Sequence, residues 1–313
     1  MYQIGIDIGG TSIKAGLVKE GRIISWRSVV TDTEAGADKI IADIAGMVNE
    51  LKDEAGDKII TGVGIGCPGA VNSCTGMVDH AYNLKWDYVP LGEKMQKLTG
   101  YPTRVCNDAN AAALGEAKYG AGKAYNSSVF ITIGTGIGSG IIIDGRLFEG
   151  NQSKGAEIGH VVIKSGGEPC TCGRRGCFEA YSSATALIRD TKRAMMKNPH
   201  SKLWEVCPDI EKVNGKTVFD GMLLNDKAAK SVFEHYITML GEGLVNIVNA
   251  LRPEAIILGG GVCAQGDVLL VPLKKYVAEY SFGEGPHVGL HIATLKNDAG
   301  IIGAAALVAW LNN

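Results

Sequence analysis

The sequence lacks the features that would assign it to a membrane, secreted or nucleic-acid-binding class. No stretch reaches the roughly 18 uninterrupted apolar residues that a membrane span needs, and residues 1–10 carry neither a basic leader nor a long apolar run. The formal net charge of the 313 residues is -2, so there is no basic excess to attract nucleic acid or an anionic membrane surface. We therefore predict a cytoplasmic protein without nucleic-acid or membrane partners.

Stable disulfides are rare in the cytoplasm, so the eight cysteines are expected to be reduced or bound to metal. One histidine and three cysteines follow the spacing H-x9-C-x-C-x4-C, which is typical of a metal site. Three thiolates and one imidazole complete a tetrahedral Zn²⁺, which predicts a structural ion. The alternative is three free thiols that are close in the sequence by chance. The predicted zinc ligands are His160, Cys170, Cys172 and Cys177, and the predicted core cysteines are Cys67, Cys74, Cys106, Cys207 and Cys263.

Apolar patterning predicts an α/β protein with two related halves. Ile4, Ile6 and Ile8 alternate as in a strand, and Ala37–Leu51 carries apolar residues at helical spacing. The strand–glycine turn–strand pattern that opens the chain returns in residues 130–143. This repeat suggests two halves that enclose a cleft, with strands and helices alternating along the chain.

Two glycine-rich turns, Gly9–Thr11 and Gly134–Gly138, are candidates for binding phosphate. Backbone N–H groups left bare in such turns form a concave site for phosphate oxygens, and Asp7 beside the first turn could hold Mg²⁺. Neither turn has the spacing of the common phosphate loop, and the first lacks the dinucleotide spacing. The alternative for the first turn is a plain β-hairpin.

A third glycine cluster, Gly259–Gly261, lies at a strand-to-helix junction. Its backbone would let the flat ring of an adenosine approach closely, although a tight packing junction is the alternative reading.

Polar residues near these turns suit the recognition and activation of hydroxyl groups. Asn107 and Asp108 stand where a strand ends and a helix begins, the edge at which open α/β sheets bind ligands. Asp108 could accept the proton of an attacking hydroxyl, or it could be a plain helix N-cap. Glu157 and Glu179 flank the cysteine cluster, so a zinc ion would fix the loop between them.

Several motifs together resemble the ROK family (repressor, open reading frame, kinase). They are DIGGT at 7–11, NDAN at 107–110, GTGIGSG at 134–140, GAEIGH at 155–160, CTCGRRGCFE at 170–179 and LGGGV at 258–262. The resemblance implies the actin-like sugar-kinase fold, with two ribonuclease-H-like α/β domains around a central cleft. Lys85 departs from the glycine that is more usual in the kinase members.

The resemblance also implies a role for individual residues. Asp108 is the implied catalytic base. The implied sugar contacts are Gly69, Asn83, Asn107, Asp108, Glu157, His160 and Glu179, with His160 serving zinc and sugar through different ring nitrogens. The implied contacts to ATP and Mg²⁺ are Asp7, Gly9, Gly10, Thr11, Lys14, Gly134, Thr135, Gly136, Gly260 and Gly261.

The predicted reaction is transfer of the γ-phosphoryl group of Mg-ATP to the C6 hydroxyl of a hexose, D-glucose first. An N-acetylmannosamine or N-acetylglucosamine kinase is the alternative, followed by a fructose or allose kinase, and polyphosphate stays open as a donor. A non-catalytic sugar sensor or repressor is the alternative of another class. We predict an N-terminal domain of residues 1–114, a larger domain of residues 115–297 with the zinc site, and a terminal helix, 298–313, that packs on the first. A homodimer or homotetramer is expected.

Overall fold

The computed structural model describes residues 1–283 and 288–309, and it has the mixed α/β architecture that the sequence predicts. The strands are β1 (Tyr2–Ile8), β2 (Ser12–Lys19), β3 (Arg22–Val30), β4 (Ile60–Cys67), β5 (Ala70–Asn72), β6 (Met77–Ala81), β7 (Trp86–Val89), β8 (Thr103–Asn107), β9 (Ser128–Ile133), β10 (Ile137–Ile143), β11 (Arg146–Phe148), β12 (Ala255–Gly259) and β13 (Gly289–Ile292). The α-helices are α1 (Gly36–Ala55), α2 (Leu91–Thr99), α3 (Asp108–Tyr119), α4 (Glu179–Ser182), α5 (Ala184–Lys197), α6 (Leu203–Val206), α7 (Thr217–Leu223), α8 (Lys227–Leu251), α9 (Asp267–Tyr280) and α10 (Ala299–Leu307).

The first sheet has the strand order β3-β2-β1-β4-β8. β1 pairs antiparallel with β2 but parallel with β4, and β4 pairs parallel with β8. The carboxyl ends of β1, β4 and β8 therefore meet at one edge of the sheet, where ligands of α/β proteins bind.

Helix α10 lies directly on this sheet because glycines leave room for its backbone. A methyl group at Gly5 would lie 1.9 Å from the carbonyl oxygen of Ile301, and one at Gly64 would lie 1.7 Å from that of Ala304. Only glycine permits so close an approach of strand and helix. The sequence predicts a terminal helix over residues 298–313, and the structure has α10 over Ala299–Leu307. Residues 310–313 of the prediction lie outside the described part of the chain.

The second five-stranded sheet has the order β11-β10-β9-β12-β13. When the strands of each sheet are numbered from one to five in chain order, both sheets have the strand order 3-2-1-4-5. The internal repeat that the glycine turns indicated is therefore present as a shared strand order. A three-stranded sheet, β5-β6-β7, was not anticipated by the sequence reading.

The chain divides into two compact units. Unit 1 comprises Met1–Phe130, Gly140–Ala156 and the described residues from Ala293 onward, and unit 2 comprises Ile131–Ser139 and the described part of Glu157–Ile292. The domain limits expected from the sequence, at residues 114 and 297, stay a prediction. No helix in residues 1–283 and 288–309 is both long and apolar enough to cross a membrane.

The cysteines outside the predicted zinc site do not all lie in the core. Cys67, Cys106 and Cys263 are buried, as predicted, but Cys74 is exposed and Cys207 is partly exposed. Cys74 stands in the turn after β5, where the side chain of Asn72 accepts its N–H at 3.2 Å. Cys207 ends the short helix α6. The core prediction is wrong for these two because both occupy turns at the surface.

Candidate active site

Two carboxylates lie at the carboxyl edge of the first sheet. Asp7 is the penultimate residue of β1, and Asp108 opens α3 directly after β8. Burial raises the pKa of Asp7 to about 6, the negative charge of Asp108 adds to this rise, and Lys14 opposes it. Lys14 is the partner of Asp7 across the β1–β2 pair. The pKa of Asp108 is also raised, chiefly by burial.

Asn107, and not Asp108, is the N-cap of α3. The Oδ1 atom of Asn107 accepts the N–H groups of Ala109 at 2.9 Å and Asn110 at 3.3 Å, and its Nδ2 donates to the carbonyl of Gly69 at 3.1 Å. The N-cap reading of Asp108 is therefore wrong. Asp108 takes one N–H of the first helical turn, from Ala109 at 2.9 Å, and its carboxylate is not needed to cap the helix.

The first glycine turn is held at its ends and open in its middle. The Gly9 N–H donates to the Ser12 carbonyl at 3.0 Å, and the Thr31 hydroxyl donates to the Gly9 carbonyl at 2.7 Å. Gly10 and Thr11 are exposed. A methyl group at Gly10 would meet no atom within 4 Å, so the space beside this turn is free for a ligand.

The second glycine turn is fastened by its neighbours in unit 2. The Ala184 N–H donates to the Gly134 carbonyl at 2.9 Å, and the Thr185 hydroxyl donates to the Thr135 carbonyl at 2.8 Å. Both donors lie at the start of α5. The turn is therefore tied to a helix N-terminus.

Glu179 connects this turn with the cysteine loop. Its Oε2 accepts the Ile137 N–H at 2.9 Å, and its Oε1 accepts the Thr171 hydroxyl at 3.2 Å. A methyl group at Gly136 would lie 2.2 Å from Oε2 of Glu179. A side chain at position 136 would thus displace the carboxylate of Glu179.

The four predicted zinc ligands lie together. All their candidate ligand atoms are within 4.8 Å of one another. The Sγ of Cys170 is 3.6 Å from Nδ1 of His160, and the Sγ atoms of Cys172 and Cys177 are 3.7 Å apart. A tetrahedral site with Zn–S bonds of about 2.3 Å has S···S edges of about 3.8 Å, so the cluster has the dimensions of a zinc site.

Glycines and backbone hydrogen bonds shape this loop. Gly173 and Gly176 have φ values of 87° and 86°, which L side chains rarely adopt. A methyl group at Gly176 would also lie 1.7 Å from the carbonyl oxygen of Lys164. Burial raises the pKa of Cys177 to about 12, whereas the Arg174 N–H lowers that of Cys172. Metal binding would need all three thiols as thiolates.

The remaining predicted sugar residues occupy different surroundings. Gly69 has a φ of 98°, and a methyl group on it would lie 2.2 Å from the His80 carbonyl oxygen, so the fold requires glycine there. Asn83 is exposed in a 3₁₀ turn, Tyr82–Leu84. Lys85, which follows, is left-handed at φ 57°, which accounts for the glycine expected at that position. Glu157 is exposed, and its carbonyl accepts the His160 N–H at 3.1 Å.

The two glycines assigned to adenosine differ. A methyl group at Gly260 would lie 2.3 Å from the Ile133 carbonyl oxygen, whereas one at Gly261 would meet nothing within 4 Å. Gly260 therefore fits the packing alternative, and only Gly261 leaves open space for a ligand.

Two positions of the site escaped the sequence reading. A methyl group at Gly300 would lie 2.7 Å from Cγ of Asp7, and Thr171 holds Glu179. Gly300 gave a usable signal, because glycine inside a helix costs about 1 kcal/mol relative to alanine and often marks a close approach. Thr171 gave none, since an exposed threonine is ordinary.

Comparison with known proteins identifies the family. The ROK family matches residues 3–310, so the chain belongs to it. A glucokinase of Halalkalibacterium halodurans is 38% identical over 100% of this chain and 96% of its own length. A ROK family glucokinase from Streptomyces griseus, solved in complex with glucose and AMPPNP, has a TM-score of 0.83 and 35% identity and covers 99% of this chain and 100% of its own. The actin-like fold of ROK sugar kinases, expected from the motifs, is confirmed.

Regulators of the family also match. A putative xylose repressor of a Caldicellulosiruptor species is 30% identical over 97% of this chain, which spans 77% of the repressor's length.

Proposed function

We propose that this protein is an ATP-dependent glucokinase that transfers the γ-phosphoryl group of Mg-ATP to the C6 hydroxyl of D-glucose. The observation that carries the proposal is the 38% identity to a glucokinase over the full length of the chain, which exceeds the 30% identity to the repressor. A sugar kinase needs a base near the sugar hydroxyl and groups that bind phosphate, and we assign these roles to Asp108 and the two glycine turns.

Asp108 is proposed as the catalytic base. Its pKa is raised by burial, so the carboxylate is a stronger proton acceptor than a solvated aspartate, which suits a general base near neutral pH. In the proposed step, an Asp108 oxygen takes the proton of the C6 hydroxyl while the hydroxyl oxygen bonds to the γ-phosphorus. The bond between that phosphorus and the β–γ bridging oxygen breaks, and ADP leaves. Most of the acceleration of phosphoryl transfer comes from positioning and charge neutralisation.

The first turn is proposed to bind the phosphates of Mg-ATP. Mg²⁺ would neutralise charge on the transferring group, and Asp7 would orient it directly or through water. Lys14, on the same face of the β1–β2 pair, would face a phosphate. The second turn, Gly134–Gly136, is proposed to contribute N–H groups, and Gly261 is proposed to lie near adenosine, with Gly260 supporting the backbone there.

The sugar is proposed to contact Glu157, His160 and Glu179 as well as Asp108. Because Nδ1 of His160 points at the Cys170 sulfur, Nε2 is the ring nitrogen left for a hydroxyl. The further proposed contacts are Gly69, Asn83 and Asn107, whose side chain also hydrogen-bonds to Asp108.

Zn²⁺ is proposed to be held by His160, Cys170, Cys172 and Cys177. The closed set of four ligands and the 3.6 and 3.7 Å spacings support a structural ion. Its chemistry would be to fix the orientation of His160 and the loop that ends at Glu179. Elemental analysis should find about one zinc per chain, and Cys172→Ser should lose both zinc and glucose affinity. A zinc-free protein with full activity would remove the ion from this proposal.

The decisive experiment is an ADP-release assay with glucose, mannose, fructose, N-acetylglucosamine and N-acetylmannosamine, each with ATP or polyphosphate. Glucose with ATP should give the highest kcat/KM. A preference of tenfold or more for an acetylated sugar would replace the glucokinase proposal with an N-acetylhexosamine kinase. Absence of turnover with every pair would favour a sugar sensor. The cytoplasmic location and the homodimer or homotetramer stay predictions.

A further inference from the structure

The second glycine turn contacts two segments proposed to bind sugar, and both contacts converge on Ile137. These segments are Glu157–His160 and Cys170–Glu179. The N–H of Ile137 donates to Oε2 of Glu179 at 2.9 Å. In the next peptide group, a methyl group at Gly159 would lie 2.3 Å from the carbonyl oxygen of Ile137, so the backbone of Ile137 is packed against the backbone next to His160.

The carboxylate of Glu179 contacts the second glycine turn with one oxygen and can contact the sugar with the other. Its Oε2 is committed to the turn, and its Oε1 faces the Thr171 hydroxyl at 3.2 Å and the Cys170 sulfur at 3.6 Å. A carboxylate oxygen accepts more than one hydrogen bond, so Oε1 can take a sugar hydroxyl as well as that of Thr171. Because the carboxylate is rigid, any rotation that optimises Oε1 for the sugar moves Oε2 against Ile137.

We propose that Glu179 couples sugar binding to the conformation of the second glycine turn, and that Thr171 is the positioning residue that sets the orientation of this carboxylate. The proposal rests on the proposed function, because it takes the turn as a phosphate contact and Glu179 as a sugar contact. Glucose then favours the turn geometry that binds the nucleotide. Linkage makes the effect reciprocal, so the nucleotide tightens glucose binding by the same factor.

The test measures this coupling factor with AMPPNP as the nucleotide probe. Its Kd is determined by calorimetry with Mg²⁺, with and without saturating glucose, for the wild type, Thr171→Val and Thr171→Ser. We expect glucose to tighten AMPPNP binding in the wild type by about fivefold or more, within the common range of allosteric couplings. Thr171→Val should reduce the coupling factor by about fivefold or more, so that a wild-type factor of about five would fall to one. This is the size expected for loss of a hydrogen bond to a charged group. Thr171→Ser, which keeps the hydroxyl, should restore it.

Thr185 offers a matched control on the same turn. It is exposed, as Thr171 is, and its hydroxyl holds the Thr135 carbonyl at 2.8 Å without touching Glu179. Thr185→Val should weaken AMPPNP binding equally with and without glucose, leaving the coupling factor unchanged. A merely structural effect of turn mutations would change the factor in both valine variants.

Hydrogen exchange on the wild type gives a second readout that needs no variant to fold. Glucose alone should slow hydrogen exchange of the Ile137 amide, because the exchanging proton is the one that this amide donates to Glu179. The proposal is overturned if glucose leaves this amide and the AMPPNP affinity unchanged, or if Thr171→Val keeps the wild-type coupling factor. Failure of the proposed function has a different signature, because wild-type protein would then phosphorylate no sugar.

Discussion

The two glycine turns have similar sequences but are held in place in different ways. The first, Gly9–Thr11, follows a strand in the middle of its sheet, and the space beside Gly10 is open. The second, Gly134–Gly136, is fastened through its carbonyls to the start of α5, and its last glycine is pressed against Glu179. Each turn also has a carboxylate packed against a glycine, Asp7 against Gly300 and Glu179 against Gly136.

This difference suggests that the two turns respond differently to bound ligands. Strand pairing and the Thr31 hydroxyl hold the first turn at its ends, so its exposed middle can stay free for phosphate and Mg²⁺. The start of α5 and the carboxylate of Glu179 hold the second turn, and its geometry therefore depends on what Glu179 binds. The absence of a side chain serves a different purpose at each position. Gly10 leaves space for a ligand, whereas Gly136 leaves space for the carboxylate of Glu179.

The largest expected effect lies beside the first turn, at Asp108. Asp108→Ala should lower kcat by about 10²–10⁴-fold, the usual contribution of a general base, while glucose still binds. Steady-state kinetics with isothermal titration of glucose would separate the two quantities. Turnover close to that of the wild type would show that another group takes the proton.

Within the second turn, Gly136→Ala and Gly134→Ala form a matched pair. The added methyl at 136 displaces Glu179 and breaks its bond to Ile137, so we expect kcat/KM to fall about a hundredfold, as for a misplacement of about 1 Å. A methyl at 134 meets nothing within 4 Å, so the unfolding free energy should change by less than about 0.5 kcal/mol. Hydrogen exchange of the Ile137 amide, which donates to Glu179, should be faster in Gly136→Ala only, and equal exchange in the two variants would refute the special role of Gly136.

The carboxylate of the first turn should carry a stability penalty. The pKa of Asp7 rises from 3.8 to about 6 on folding, which corresponds to at most about 3 kcal/mol, or about 2 kcal/mol after allowance for partial exposure. Because the folded-state pKa is raised, the protein loses this stability as the pH rises from about 4 through 6.

Asp7→Asn should therefore be more stable than the wild type by about 2 kcal/mol at pH 7.5 in metal-free buffer, but no more stable below about pH 4. Urea unfolding at several pH values measures the difference. The variant should have a lower kcat/KM than the wild type despite its stability. A pH-independent difference would mean that Asp7 is not strained by ionisation.

The smallest effect is expected at Gly300. Gly300→Ala should push Asp7 from its place and lower kcat/KM about tenfold, with a rise in the Mg²⁺ concentration needed for activity. Gly46 of α1 is the control, since a methyl there meets no atom within 4 Å, and Gly46→Ala should raise the unfolding free energy by about 0.5–1 kcal/mol. If Gly300→Ala needs no more Mg²⁺ than the wild type, then Asp7 does not hold the metal.

Local patterns carried most of the fold prediction. Strand β1 contains the alternating residues Ile4, Ile6 and Ile8, and α1 (Gly36–Ala55) contains the helical pattern of Ala37–Leu51. The helix after the third glycine cluster begins later than expected, at Asp267, because a 3₁₀ turn, Gly261–Gln265, comes first. The three-stranded sheet was missed since its strands are only three to five residues long.

What the sequence alone indicated is the chemistry that depends on spacing: the four predicted zinc ligands within 18 residues of chain and the two glycine turns, each a few residues long. Only the tertiary structure decided that Asn107 bonds to the Gly69 carbonyl, that Gly300 abuts Asp7 and that Glu179 holds Ile137. The last bond joins residues 42 positions apart. Such contacts form when distant segments pack together, so no local preference encodes them, and they determine how the two turns differ.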